Sequence, residues 1–102
     1  MTPEEYVEAV LAMVEKIPPG RVMTYGAIAD ALAEESGRNS ARRVGTIMAR
    51  HGGAVPWHRV VGAGGRLVPG HETEARRRLE AEGVPFRAER VAPEAFLLFW
   101  RA

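Results

Sequence analysis

Apolar residues recur at three- and four-residue spacing through Val7, Val10, Leu11, Val14 and Ile17, behind Thr2-Pro3-Glu4-Glu5, which reads as a capping box with Pro at the first helical position. This predicts a first helix that ends near Lys16, where Pro18-Pro19-Gly20 forces a turn. Thr24 caps a second helix, "YGAIADALAEE", with a narrow apolar stripe of Ile28, Ala29 and Leu32 and a stop at Ser36-Gly37. Ser40 caps a third, "ARRVGTIMAR", which ends before Gly52-Gly53. Two short helices across a tight Gly-containing turn, the second of them basic, suggest a helix-turn-helix.

The pattern changes after Gly53. The segment around Trp57 shows neither helical nor strand alternation, and "VVGAGGRLV" predicts a hairpin or wing around a Gly-rich turn. Thr73 opens a further helix that ends at Gly83. In the tail "VAPEAFLLFW", Phe96, Phe99 and Trp100 fall on one face of a last helical turn or two, which either docks on the core or stays exposed as a partner-binding patch. The expected fold is mainly α with a small β wing, in a single domain over residues 1–102.

On the third helix, at about 100° per residue, Val44, Ile47 and Met48 cluster on one side and Arg42 lies roughly opposite. The outward face is then Arg42, Gly45, Thr46 and Ala49, one long cation among very small residues. Such a face allows close approach to another surface; the alternative is a solvated Arg on a thinly packed helix.

Charge sharpens that choice. Net charge is only +1, yet Ser36 to His71 contains no Asp or Glu while Arg38, Arg42, Arg43, Arg50, Arg59 and Arg66 all fall there. The segregation favours a polyanionic partner over a merely solvated face. No run of 18 apolar residues occurs, and the acidic "MTPEEYVEAV" is unlike a signal peptide, so a soluble cytoplasmic protein is expected, with no membrane contact.

Candidate chemistry is thin. There is no cysteine, which excludes disulfides, thiolate metal sites and cysteine nucleophiles. His51, His58 and His71 match no metal spacing, so no metal site is expected. Ser36 and Ser40 lie in no nucleophile signature, and no Gly-rich loop has a nucleotide-binding pattern. Glu72, Glu74, Glu80 and Glu82 sit on a helix beside Arg76, Arg77 and Arg78, and i,i+4 pairing explains most of them. Trp57, between Pro56 and His58-Arg59, is core filler, a site wall, or the occupant of a place where something reactive once stood.

"IPPGRVMTYGAIADAL", "ARRVGTIM", "VPWHRVV" and "LEAEGV" resemble, in order and rough spacing, the DNA-binding domain of O6-alkylguanine-DNA alkyltransferases. The resemblance covers about residues 4 to 84 and leaves 85–102 as a docking tail. The family's Pro-Cys-His-Arg-Val motif reads Pro56-Trp57-His58-Arg59-Val60 here, so the chain looks like the alkyltransferase-like branch, which binds alkylated guanine without repairing it. Indole carbon has no in-plane lone pair and its nitrogen is not basic, so Trp57 cannot accept an alkyl group.

The resemblance implies a winged helix-turn-helix of the alkyltransferase C-terminal type, with the third helix in the minor groove. It makes Arg42 the finger that fills the vacated stack, with Arg43 as runner-up, and Tyr25 the residue that crowds the target phosphate. The lesion pocket would comprise Tyr25, Trp57, His58 and Val60; Tyr25 alternatively packs at the core edge. Thr24, Tyr25, Ser40, Arg42, Arg43, Gly45, Thr46 and Arg50 would contact DNA, and His58 with Glu82 would remain as the structural remnant of the activating relay. Where some alkyltransferase-like proteins carry a base-stacking arginine this chain has Gly70, with Arg66 as a possible substitute. No cofactor is implied. The implied partners are duplex DNA containing O6-alkylguanine and nucleotide excision repair proteins, for a monomer. The rivals are a winged-helix regulator with no lesion preference and a residual enzyme using His58 and Glu82.

Overall fold

A computed structural model describes residues 2–36 and 40–97. Helix α1 (Pro3–Glu15) begins in the anticipated capping box: the Glu5 N–H donates to Thr2 Oγ1 at 3.1 Å and the Thr2 N–H donates to Glu5 Oε1 at 2.7 Å. Its buried face is Tyr6, Val10, Met13 and Val14. Ile17 seals the end of this face, and Gly20 turns the chain with φ of 90°.

Strand β1 (Met23–Thr24) leads directly into α2 (Tyr25–Ser36), whose first turn is capped by Thr24: its Oγ1 accepts the Ala27 N–H at 2.9 Å. Helix α3 (Ala41–His51) is capped by Ser40, whose Oγ accepts the Arg43 N–H at 3.1 Å, and it ends at Gly52. The three N-caps read from the sequence are thus all made. Ile28, Ala29 and Leu32 of α2 and Val44, Ile47 and Met48 of α3 close on α1 in one apolar cluster. The residues joining α2 to α3, 37–39, lie outside the described residues.

Strand β2 (Val60–Val61) departs from the expected hairpin. Its two valines are fully buried and pair in parallel with β1, Met23 opposite Val60 and Thr24 opposite Val61. Two consecutive valines with no polar alternation fit a strand covered on both faces, and local spacing cannot name its partner. The Gly-rich stretch then makes a tight turn, with the Gly62 N–H donating to the Arg66 carbonyl at 2.7 Å and Gly64 and Gly65 at φ of 72° and 86°.

Helix α4 (Glu72–Ala81) starts one residue before the expected Thr73. It ends in a Schellman arrangement: the Val84 N–H donates to the Leu79 carbonyl and the Gly83 N–H to the Glu80 carbonyl, both at 3.0 Å, with Gly83 at φ of 83°. Leu79 and Val84, brought together by that motif, belong to a second apolar cluster with Val22, Val61, Leu67, Ala75, Val91 and Ala95.

The antiparallel hairpin of the fold lies in the stretch read as a tail. It is β3 (Phe86–Arg87) with β4 (Arg90–Val91), Phe86 opposite Val91. A Cβ on Gly65 would fall 2.5 Å from the Val91 carbonyl oxygen, so this hairpin rests directly on the Gly-rich turn. The chain then returns beside β1: the Val22 N–H donates to the Ala95 carbonyl at 2.9 Å and the Leu97 N–H to the Val22 carbonyl at 2.8 Å. Phe96 packs on the second cluster and Leu97 on the first, in an extended segment that follows one helical turn at Pro93–Ala95. Phe99 and Trp100 lie outside the described residues. The architecture is mainly helical with small sheets, as the sequence leads one to expect.

Candidate nucleic-acid interface

With Val44, Ile47 and Met48 of α3 turned into the core, Arg42, Thr46, Ala49 and Arg50 are exposed on the opposite side and Gly45 is half-buried among them. Thr46 Oγ1 donates back to the Arg42 carbonyl at 3.1 Å, and a Cβ on Gly45 would meet nothing within 4 Å. The face is therefore thin and open, with Arg42 projecting at its start. Arg43, one position on, sets its guanidinium 4.2 Å from the Tyr6 ring centroid and is half-buried. Thr24 and Ser40 each use the side-chain oxygen as a helix cap.

Beside this face lies a cavity of about 590 Å³. Gly45, Met48 and Ala49 of α3, continued by Gly52 and Gly53, form one wall, and Tyr25 at the start of α2 and Trp57 face it. Val68, Pro69 and His71 complete the rim. The small residues of α3 make this room: larger side chains at 45, 49, 52 or 53 would occupy it. Its volume lies within the ordinary range for small-molecule pockets and its lining is largely apolar, which suits an aromatic ligand. Half-buried in that wall, Tyr25 has its hydroxyl pKa raised by desolvation.

Trp57 is held by both halves of the fold. It starts a single helical turn, Trp57–Arg59, closed by the Arg59 N–H donating to the Pro56 carbonyl at 3.0 Å, and it packs against both apolar clusters. Its ring meets His58 edge-on at 6.1 Å and 86°, and His71 at 5.7 Å and 64°. The Arg78 guanidinium of α4 lies over it at 5.3 Å.

Behind Trp57 is a charged brace. Glu82 accepts from His58 Nε2 at 2.8 Å and from Arg59 Nη2 at 2.8 Å on one oxygen, and from Arg59 Nε at 3.1 Å on the other. Arg59 Nη1 also donates to the Ile17 carbonyl at 2.9 Å. Burial by itself raises the Glu82 carboxyl, but hydrogen bonds from Arg59 and His58 and their charge outweigh it and hold the pKa at about 2. Because the carboxylate accepts, Nε2 of His58 is the protonated nitrogen; Nδ1 is buried with no partner among the described residues.

Several expected residues therefore fall in different places. Tyr25, Trp57 and Gly45 share the cavity; Arg42, Thr46 and Arg50 lie exposed on the adjoining helix. Val60 does not line the cavity: it is fully buried in the core as part of β2. His58 is buried behind Trp57, and Arg66 borders a different groove. Arg59, counted among the free cations of the middle segment, is committed to Glu82. Two residues missed at this site are His71 and Arg78. His71, Ala75, Arg78 and Glu82 fall on one stripe at helical spacing, and that stripe is the signal that places both beside Trp57. Among the described residues no three His, Cys, Asp or Glu come together to hold a metal, and no helix is long and apolar enough to cross a membrane.

Two packed helices, the second with a thin basic face beside an apolar cavity, are the arrangement of a DNA-binding domain. The family model described as 6-O-methylguanine DNA methyltransferase, DNA binding domain, matches residues 5–84, and the chain belongs to this alkyltransferase family. It is similar to a DNA base-flipping protein of Vibrio parahaemolyticus, 33% identical over 79% of this chain and 82% of that one. It is also similar to alkyltransferase-like protein 1 of Schizosaccharomyces pombe, 38% identical over 82% of this chain and 81% of that one. The S. pombe Atl1 structure in complex with damaged DNA containing O6-carboxymethylguanine superposes with a TM-score of 0.74 at 31% identity, covering 100% of both chains.

Proposed function

We propose that this protein is a non-enzymatic sensor of O6-alkylguanine in duplex DNA. Helix α3 enters the minor groove, Arg42 fills the gap in the stack, and the extruded base is held in the cavity between Tyr25, Trp57 and the small-residue wall of α3. The observation that carries the reading is that cavity, of about 590 Å³, opening beside the exposed face of α3 with Trp57 at the motif position of the transferase nucleophile. The base-flipping and damaged-DNA descriptions of its relatives support it.

Extruding a base costs a few kcal/mol, less where the base pairs poorly, as an alkylated guanine does. Stacking on an aromatic offsets about 1–3 kcal/mol of that, and Arg42 contributes cation–π and stacking contact with the bases left behind. Phosphate contacts from the remaining exposed arginines add affinity without sequence information. Without a cysteine to receive the alkyl group, the complex persists as a flag, and nucleotide excision repair proteins are the partners such a flag serves.

The test is a fluorescence titration with matched duplexes that differ by one O6-methylguanine, at fixed salt. Tighter binding of the modified duplex with Trp57 quenched is expected; equal affinities would overturn the reading in favour of a regulator without lesion preference. A radiolabelled methyl group should remain on the DNA.

A further inference from the structure

The cavity beside α3 is backed by a second hollow. On the other side of the 66–70 loop a groove of about 510 Å³ is bordered by Arg66, Arg76 and Arg90, with Thr73, Glu72 and Glu89, and Pro69 forms part of both walls. We infer that this groove binds backbone phosphates of the DNA strand whose base enters the Trp57 cavity, with Arg66 and Arg90 as the phosphate ligands.

The three arginines of the groove are not equivalent. Arg76 is committed: it donates to Glu80 at 3.2 Å and to the Ala88 carbonyl at 2.8 Å, and lies 4.3 Å over the Phe86 ring. Arg66 and Arg90 are exposed, and among the described residues neither has a carboxylate within ion-pairing distance, although Glu72 and Glu89 border the same groove. Two guanidinium forks left unpaired beside available acids suit a bidentate acceptor from outside, and a phosphodiester is one.

The backbone lies close beneath one of these forks. A Cβ on Gly64 would fall 2.6 Å from Arg90 Nη1, so the guanidinium sits directly over this turn. Gly64 also takes φ of 72°, which turns the loop beneath that arginine. Thr73, in the first turn of α4, adds a hydroxyl and the positive end of that helix to the groove.

The shared Pro69 wall selects DNA over other phosphates. A strand that delivers a base to one side of the 66–70 loop has its neighbouring phosphates at the loop's edge, next to Arg66. This assignment rests on the DNA-binding reading above, and its test separates the two. Fluorescence anisotropy of end-labelled duplexes, unmodified and carrying one O6-methylguanine, is measured across a salt series for the wild type, for Arg66→Ala/Arg90→Ala and for Arg66→Lys/Arg90→Lys. The alanine pair is expected to flatten the slope of log K against log salt by about two and to weaken both duplexes by the same factor. The lysine pair should restore most of the slope, which separates lost charge from lost fold. An alanine pair with the wild-type slope overturns the assignment, as does a change confined to the modified duplex, since Arg66 would then read the base. Equal wild-type affinities for the two duplexes would instead overturn the sensor reading, and the slopes would still decide the groove.

Discussion

The guanidinium of Arg78 lies 5.3 Å from the Trp57 ring, on the helix whose C-cap residue, Glu82, forms the brace behind that ring. α4 and its C-cap thus fix both the face and the support of Trp57. Arg78 is only partly covered and also pairs with Glu74 at 2.6 Å, so its cation–π contribution is at the exposed end of the range, about 0.5–1 kcal/mol. Arg78→Ala is expected to weaken lesion binding about threefold and to shift Trp57 emission, whereas Glu74→Gln, which frees the guanidinium without removing it, should leave binding nearly unchanged. Fluorescence titration of both variants checks this.

Glu82 ties Arg59 and His58 together where all three side chains are largely covered, so breaking it leaves a partly buried guanidinium uncompensated. Glu82→Gln is expected to destabilise the fold by about 3 kcal/mol in urea melts at neutral pH.

The same carboxylate makes stability pH-dependent. Its folded pKa of about 2 lies below the ordinary 4.5, so its contribution is complete above about 4.5 and disappears as pH falls toward 2. Glu74 is also held at about 2, by hydrogen bonds from Arg77 and Arg78, but both partners are exposed on the surface of α4 and the pairing is screened. Melts between pH 5 and 2 should therefore show a steep acid loss in the wild type and in Glu74→Gln, and a much flatter profile in Glu82→Gln.

Gly45 offers a separation of stability from binding. It sits in the middle of α3 with open space where a Cβ would be, so Gly45→Ala is expected to stabilise the protein by about 0.5–1 kcal/mol. Gly45→Leu keeps the helix but fills the mouth of the cavity, and should abolish lesion binding while the melting temperature stays at or above that of the wild type.

Arg42 is exposed at the start of α3, and among the described residues it has no ion pair to lose. Arg42→Ala should leave stability within about 0.5 kcal/mol and cost lesion binding 1 kcal/mol or more. An unchanged affinity would remove it from the flipping step.

What the sequence made legible was local. Thr2, Thr24 and Ser40 each cap the helix they precede, because a cap is decided within three residues. The wheel of α3 separated Arg42 from Val44, Ile47 and Met48 for the same reason. What stayed hidden depends on distant partners. Val60 and Val61 carry no mark of whether they pair with residues 67–68 or with Met23-Thr24, and Arg59 looks like any other cation until Glu82 folds against it. The Trp57 site drew two residues, His71 and Arg78, from the N-cap and body of a helix whose charged surface read mostly as self-pairing.

The central place of Val22–Thr24 has a kinetic consequence. Its backbone joins Val60–Val61 on one side and Ala95–Leu97 on the other, so both neighbours arrive from far along the chain. During synthesis the three capped helices can assemble early, but the turn that carries Trp57 hangs from β2, which reaches β1 only when residues 60–61 emerge, and is braced only when Glu82 follows. A nascent chain would hold the exposed face of α3 before it holds a formed pocket beside it.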